Sequence, residues 1–372
     1  MYCIGIARTI CKETHMETRR SFMKKTGLAG IAGIIQSGKP PAFAQDMKLL
    51  KLSKLGLGSH NFLSRFKTPP SSFKEKVRCK PYAVWDDIPE VADAMKGSLF
   101  EKVMRDPVKL VEESDGVLVM HADYRKVFEL AQPALEAGKP VFINRPFTAT
   151  IADADETVRL AQAYDTPLMS ASSLEFQPEL QAIQQFVRDM GPLRAYEAYC
   201  CEPHFTWHFP HVINYAHAAF GGGIESTYFA GEYVMELRKW TLDKQPIGSS
   251  LCVLTYKSRN GQPPVIGMNH CGAQPGGYHI DVYAAQENKL FEADTKTLFD
   301  HMFFALHEFF VNRMVPRPYE AILEQHRALV AANVSRLTGR AVNLDSLGGN
   351  DALPYSDAIR RYIVNRTLNK KQ

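Results

Sequence analysis

Little in this chain is extreme, and each thing it lacks removes a class of protein. Its seven cysteines include no C-x-x-C spacing. Cys3 and Cys11 lie near the N-terminus, and Cys79, Cys200, Cys201, Cys252 and Cys271 are odd in number, so no disulfide framework or zinc site is readable. The adjacent Cys200-Cys201 reads as a strand pair facing opposite sides. No apolar run approaches the ~20 residues that span a bilayer, and there is no repeat or low-complexity tract. Forty-four basic residues stand against 40 acidic, and the net charge of +4 comes partly from the N-terminus. That balance makes no case for nucleic acid. What remains is an ordinary globular composition, 45% hydrophobic and 23% charged. At ~150 residues per domain, 372 residues suggest two domains with adequate cores.

The first residues read as a leader rather than fold. Thr18-Arg19-Arg20-Ser21-Phe22-Met23-Lys24-Lys25 is a twin-arginine pattern, followed by an apolar stretch from Gly27 to Ile35 and the small-x-small triplet Ala42-Phe43-Ala44. The expectation is export, with cleavage after Ala44 and a mature start at Gln45. Met16, two residues before the motif, is an alternative start.

The most informative stretch runs from Asp115 to Pro146. Val117 to Met120 form a short apolar run, as in a parallel strand buried on both faces. From Tyr124 to Ala137 the spacing turns helical, with Val127, Leu130, Ala131, Ala134 and Leu135 on one side. Gly138 sits where a helix C-cap belongs, and Pro140 cannot continue the helix. Val141, Phe142 and Ile143 form a second buried strand that stops at Asn144-Arg145-Pro146. This is a βαβ unit, and polar residues at the carboxyl end of its strands stand where open α/β sheets bind ligands.

The run DGVLV…ALEAGKPVFINRP resembles the Gfo/Idh/MocA family of nicotinamide-dependent sugar oxidoreductases, over a span from about Leu50 to Asn343. The resemblance implies an α/β fold with an N-terminal Rossmann-type doubly wound parallel sheet, residues 45–168. A C-terminal α+β domain, residues 169–372, would carry a large open, mainly antiparallel sheet used for substrate binding and oligomerisation. Where the family reads E-K-P or D-K-P, this chain has Asn144-Arg145-Pro146.

Leu49 to Ser59 is expected as the first strand and its turn, with Gly56-x-Gly58 in the place of the dinucleotide fingerprint. Two departures stand out: Asn61 occupies the third glycine position, and Lys51, Ser53 and Lys54 lie in the strand. Tyr82 to Trp85 reads as the second strand, ending at Asp86-Asp87. A carboxylate there accepts the adenosine ribose hydroxyls and disfavours a 2′-phosphate, which favours NAD over NADP. Asp86 lies 28 residues beyond Gly58, against ~20 expected, an excess that Lys67–Lys80 would supply as a loop. Asp87 could instead cap a helix ahead of Pro89. His121 follows the third strand and should line the crevice with Asn144 and Arg145. Asp153 to Tyr164 reads as a helix and Pro167–Met169 as a strand, before a crossing at Ser170–Ser173.

Beyond a helix around Pro178–Met190, alternating segments predict strands at Ala195–Cys200, Ser226–Gly231, Ser250–Tyr256, Val265–Asn269, Tyr278–Ala284 and Lys289–Glu292. Helices over Thr295–Arg313 and Tyr319–Leu337 close the chain. The first carries Leu298, Met302, Leu306, Phe309 and Phe310 on one stripe, expected as core.

His204, Trp207, His208 and His211 crowd the segment after the first of these strands. Oxidising an alcohol needs a base and a hydride acceptor, and a histidine of ordinary pKa ~6.5 suits the first role. The resemblance puts that base at His211, with an acid three residues later where this chain has Asn214. Asn214 can orient the imidazole but carries no charge. Arg145 replaces the family lysine; it stays cationic and can hold an oxygen or a carboxylate through a forked pair of bonds. Ser173, His204, Trp207 and His208 are expected against the substrate, and His217 in a structural role; no metal is expected.

The resulting expectation is an exported oxidoreductase of CH–OH groups, moving a hydride to or from a sugar, polyol or glycan-derived substrate through a tightly held NAD. It would be a homo-oligomer through the open sheet, without a membrane span. The alternatives are a glycan- or nucleotide-binding homologue without turnover, a redox-assisted glycosidase, or a structural subunit supporting an active paralogue.

Overall fold

Two sheets, each covered by helices, make up the described chain. The computed structural model describes residues 49–56, 62–97, 99–201, 205–235, 247–258, 261–272, 277–355, 357, 360, 361, 364, 365 and 368. The expected leader lies outside the described residues, and Leu49–Gln372 cluster as one compact unit.

The first sheet is six-stranded and parallel: β1 (Leu50–Leu55), β2 (Cys79–Trp85), β3 (Lys102–Val103), β4 (Gly116–Val119), β5 (Val141–Ile143) and β6 (Leu168–Ser170). Their spatial order is β3-β2-β1-β4-β5-β6, the doubly wound arrangement whose ligand crevice opens between β1 and β4. The central strands β4 and β5 are buried throughout, whereas β2 and β3 are buried only in part or not at all. Helices α1 (Ser64–Lys67), α2 (Pro89–Met95), α3 (Pro107–Glu112), α4 (Val127–Glu136) and α5 (Ile151–Ala163) make the connections. The anticipated stripe of α4 is buried with Val117, Val119, Val141 and Ile143 on one face of the sheet. Gly138 follows α4 at φ +68°, the left-handed exit foreseen from the sequence.

One expectation for this half is corrected, and one departure is accounted for. Residues 67–80 are not a plain loop: Ser71–Lys76 forms a 3-10 helix and β2 already starts at Cys79. The polar residues of β1 do not prevent its burial either. Ser114 Oγ meets Ser53 Oγ at 2.6 Å, and Lys54, fully buried, donates from Nζ to Met95 Sδ at 3.5 Å.

The second sheet holds β7 (Leu193–Cys200), β8 (Ile224–Met235), β9 (Ile247–Tyr256), β10 (Ile266–Cys271), β11 (Tyr278–Ala284), β12 (Asn288–Glu292) and β13 (Val342–Asn343). Its order is β12-β11-β7-β10-β9-β8-β13, antiparallel except where β10 pairs with β7. Helices α6 (Glu179–Met190), α7 (Phe205–Phe220) and α9 (Tyr319–Thr338) pack against it. All but a few residues of α7 are buried, as for a helix enclosed on every side.

Helix α8 (Leu298–Asn312) follows the second sheet in the chain and packs on the first. Its Met302, Phe303, Leu306, Phe309 and Phe310 join Leu52, Val84, Leu118, Met120 and Phe142 in one cluster on the other face of the first sheet. The contact is close enough that a Cβ on Gly116 would lie 2.6 Å from the Phe310 ring. The stripe foreseen as core is therefore core. Among the described residues, no helix is long and apolar enough to cross a membrane.

Candidate functional site

The carboxyl ends of β1, β2, β4 and β5 carry the groups of interest. Val119 of β4 pairs with Ile143 of β5, so His121 and Arg145 leave the same edge of the sheet two residues later. Gly56 ends β1 at φ +88°, its N–H donating to Trp85 O at 2.7 Å. A Cβ there would sit 2.5 Å from His121 Cα, so only glycine lets the loops after β1 and β4 come together. Gly58 and Asn61 lie outside the described residues.

Asp86 and Asp87 have separate tasks. Asp86 is buried and turns back to accept Ile88 N–H at 2.9 Å; burial pushes its carboxyl up to about 6. Asp87 is not a helix cap, for α2 starts with no side-chain cap. Its Oδ1 meets His121 Nε2 at 3.1 Å, and its Oδ2 accepts from Lys126 Nζ at 2.5 Å and Arg360 Nη2 at 2.7 Å. The His121 bond first, and then Lys126 and Arg360, hold this carboxyl far below its usual range. Asp86, Asp87 and His121 offer three ligand atoms within 4.8 Å of one another. With two cationic side chains already on Asp87, a metal ion would meet repulsion there.

The second group surrounds Arg145, whose peptide bond to Pro146 is cis. Arg145 Nε donates to His211 Nε2 at 2.5 Å, and Nη1 donates to Asn144 Oδ1 at 3.2 Å. Because the guanidinium only donates, His211 Nε2 must be the accepting nitrogen. Its Nδ1 therefore carries the proton of the neutral ring and donates to Ser172 Oγ at 2.5 Å. His211 is buried, and burial first, then Arg145 and His208, hold it well below its ordinary value.

Behind this pair stands Glu175. Ser172 caps the 3-10 helix Ser173–Phe176 in a capping box, and Glu175 Oε1 accepts from Ser172 N–H and from Asn214 Nδ2, both at 2.6 Å. Arg317 and Gln325 complete its shell through Oε2. Asn214 thus does not orient the imidazole; its amide reaches Glu175, and Ser172 holds the ring. Ser173 is buried beside it, its carbonyl accepting from Gln177 Nε2 at 2.9 Å. Of the expected substrate residues, His208 lies parallel to His211 with ring centres 6.2 Å apart. Trp207 is buried on α7, and His204 lies outside the described residues. His217 faces Glu324 at 3.6 Å, away from this group. Ser172, Glu175 and Arg317 were missed from the sequence, although S-x-x-E at 172–175 is a legible capping box.

The buried polar atoms that lack a hydrogen-bond partner among the described residues include Asn144 Nδ2 at the end of β5 and Trp207 Nε1 on α7. Buried polar groups are rarely left unpaired, and those at a crevice point to a ligand. Residues 56–172 match the family model described as "Oxidoreductase family, NAD-binding Rossmann fold", GFO_IDH_MocA.

The chain has the Gfo/Idh/MocA oxidoreductase fold. A scyllo-inositol dehydrogenase from Lactobacillus casei, solved with NAD(H) and scyllo-inositol, superposes with a TM-score of 0.64 at 16% identity, over 80% of this chain and all of that one. An uncharacterized protein of Saccharomyces cerevisiae is 25% identical over 166 residues, 44% of this chain and 42% of its own length. An uncharacterized oxidoreductase of Escherichia coli is 47% identical over 64 residues, 17% of this chain and 16% of its own. The matches thus span less than half the length of these curated relatives. In the Gfo/Idh/MocA fold, both polar groups described above lie where the parallel strands end.

Proposed function

We propose that this chain is an exported nicotinamide-dependent oxidoreductase that oxidises or forms a CH–OH group of a sugar, polyol or glycan-derived substrate. The observation that carries the reading is the Arg145–His211 pair, a fixed cation beside a neutral imidazole whose accepting nitrogen is known. The residues present fit a dinucleotide: Gly56 permits close backbone approach, Asp87 stands at the end of β2, and Asn144 Nδ2 lacks a partner among the described residues. The nicotinamide ring, when bound, supplies the hydride acceptor. Arg145 holds the reacting oxygen and balances its developing charge. His211 receives the hydroxyl proton at Nε2, once Arg145 Nε has turned from that nitrogen to the substrate. Ser172 keeps the ring in the required tautomer, and Asn214 acts through Glu175. Trp207, His208, His204 and Ser173 shape the substrate side.

The dinucleotide domain in this proposal runs to about residue 168, and the outer face of the second sheet makes a homo-oligomer. Export rests on residues 18–44. Because dinucleotide outside the cytoplasm is not freely replenished, the cofactor stays bound and is reduced and reoxidised within one cycle. Mass spectrometry of the purified protein, native and then denatured, tests this. A released nicotinamide dinucleotide is the expected result; an empty protein that also takes up none when it is supplied would overturn the reading.

Arg145 also favours a second reading. A permanent cation bonded to the accepting nitrogen of the base suits binding without turnover, and that reading predicts dinucleotide uptake with no reduction by any polyol.

A further inference from the structure

The tail after α9 returns to the crevice. Ala152 N–H donates to Gly349 O at 3.0 Å and Leu353 N–H to Ala149 O at 2.9 Å. The Tyr124 hydroxyl bonds Pro354 O, and the Arg125 guanidinium lies 3.5 Å above the Tyr355 ring. Farther on, Val364 and Leu368 pack against the apolar cluster shared by α8 and the first sheet. Arg360 is held between these two moorings, and its Nη2 reaches Asp87 Oδ2 at 2.7 Å.

A bare carboxylate at the end of β2 accepts ribose hydroxyls and repels a 2′-phosphate, whereas an arginine there accommodates the phosphate. Asp87 is not bare. Lys126 and Arg360 each donate to it, and their side chains remain 40% and 26% exposed. A guanidinium has five N–H donors and an ammonium three, so one bond to Asp87 leaves each with donors for a second anion. Asp86 does not restore the repulsion, because it is turned inward onto the Ile88 amide.

We propose that Arg360, delivered by the C-terminal tail, acts with Lys126 as a 2′-phosphate clamp at the Asp87 corner. The site then takes the phosphorylated dinucleotide at least as readily as the unphosphorylated one. This reverses the expectation that the acid at the end of β2 selects NAD, and it rests on the dinucleotide reading of the crevice.

Calorimetric titration of the full chain with 2′,5′-ADP and with 5′-AMP tests the clamp without any turnover. The wild type should bind 2′,5′-ADP as tightly as 5′-AMP or more tightly. Arg360→Ala and Lys126→Ala should each weaken 2′,5′-ADP about tenfold or more, the scale of a charge-assisted bond, and leave 5′-AMP within about threefold. A wild type that prefers 5′-AMP tenfold, or variants that weaken both ligands alike, would overturn the clamp and leave the dinucleotide reading intact. Binding of neither ligand would remove both.

Discussion

Arg145 Nε lies 2.5 Å from His211 Nε2, so a side chain that cannot give up its proton fixes which nitrogen of its neighbour is the base. The arrangement separates two tasks that a lysine could combine. In the proposed reaction, charge at the reacting oxygen falls to Arg145 and proton transfer to His211.

The pH profile follows from that pair. Burial and the adjacent cation hold His211 well below its ordinary value, so it is neutral and able to accept a proton throughout the neutral range. Alcohol oxidation should be flat across neutrality and fall only as the pH drops through this depressed value. Removing the cation with Arg145→Gln should move the acid limb upward toward ~6.5, read from kcat/KM against pH.

Ser172 should matter for rate more than for folding. Ser172→Ala leaves the Nδ1–H of buried His211 without an acceptor, a loss of about 1–3 kcal/mol. The expected outcome is a tenfold to hundredfold drop in kcat, with partial recovery in Ser172→Thr. A loss of stability with kcat unchanged would assign Ser172 to the cap alone.

Glu175 is a matter of stability first. Its carboxylate has no exposed side-chain surface and gathers Arg317, Gln325, Asn214 and the Ser172 amide. Glu175→Gln breaks a buried ion pair on one side only, which costs roughly 3–5 kcal/mol. A large fall in the denaturation midpoint is expected, with Asn214→Ala milder.

Lys54 makes stability rise with pH. Burial, offset in part by Asp86, lowers its ammonium from 10.5 to about 7 in the folded chain. Between those values the unfolded state binds the extra proton, so stability increases with pH; the penalty is complete below about 7 and gone by 10.5. At 1.36 kcal/mol per pH unit the penalty is on the order of 5 kcal/mol. Lys54→Met should raise the melting temperature at neutral pH and flatten its rise toward alkaline pH.

The parallel core was legible because local pattern decides it. Val117–Met120, the α4 stripe and Val141–Ile143 are read from spacing alone, and Arg145 and His211 followed as strand-end and helix residues. What escaped depends on long-range contacts. Arg360 meets Asp87 across 273 residues, and Arg317 meets the Glu175 carbonyl across 142. Nothing in the local sequence of either arginine announces such a partner. Lys54 escaped for a different reason: period and propensity count a lysine as outward, whereas here β1 is buried on both faces from Leu52 to Leu55 and Lys54 meets Met95.

The central claim is that His211 takes a proton from a hydroxyl while a nicotinamide accepts hydride. The most direct measurement is the near-ultraviolet absorbance of reduced nicotinamide in the first turnover, when the purified protein, loaded with oxidised dinucleotide, meets a panel of cyclic polyols and sugars. The account predicts reduction by at least one of them, slowed about a hundredfold or more in His211→Ala, the scale of general-base catalysis. Reduction that survives unchanged in His211→Ala, or a loaded protein that no member of the panel reduces, would contradict it.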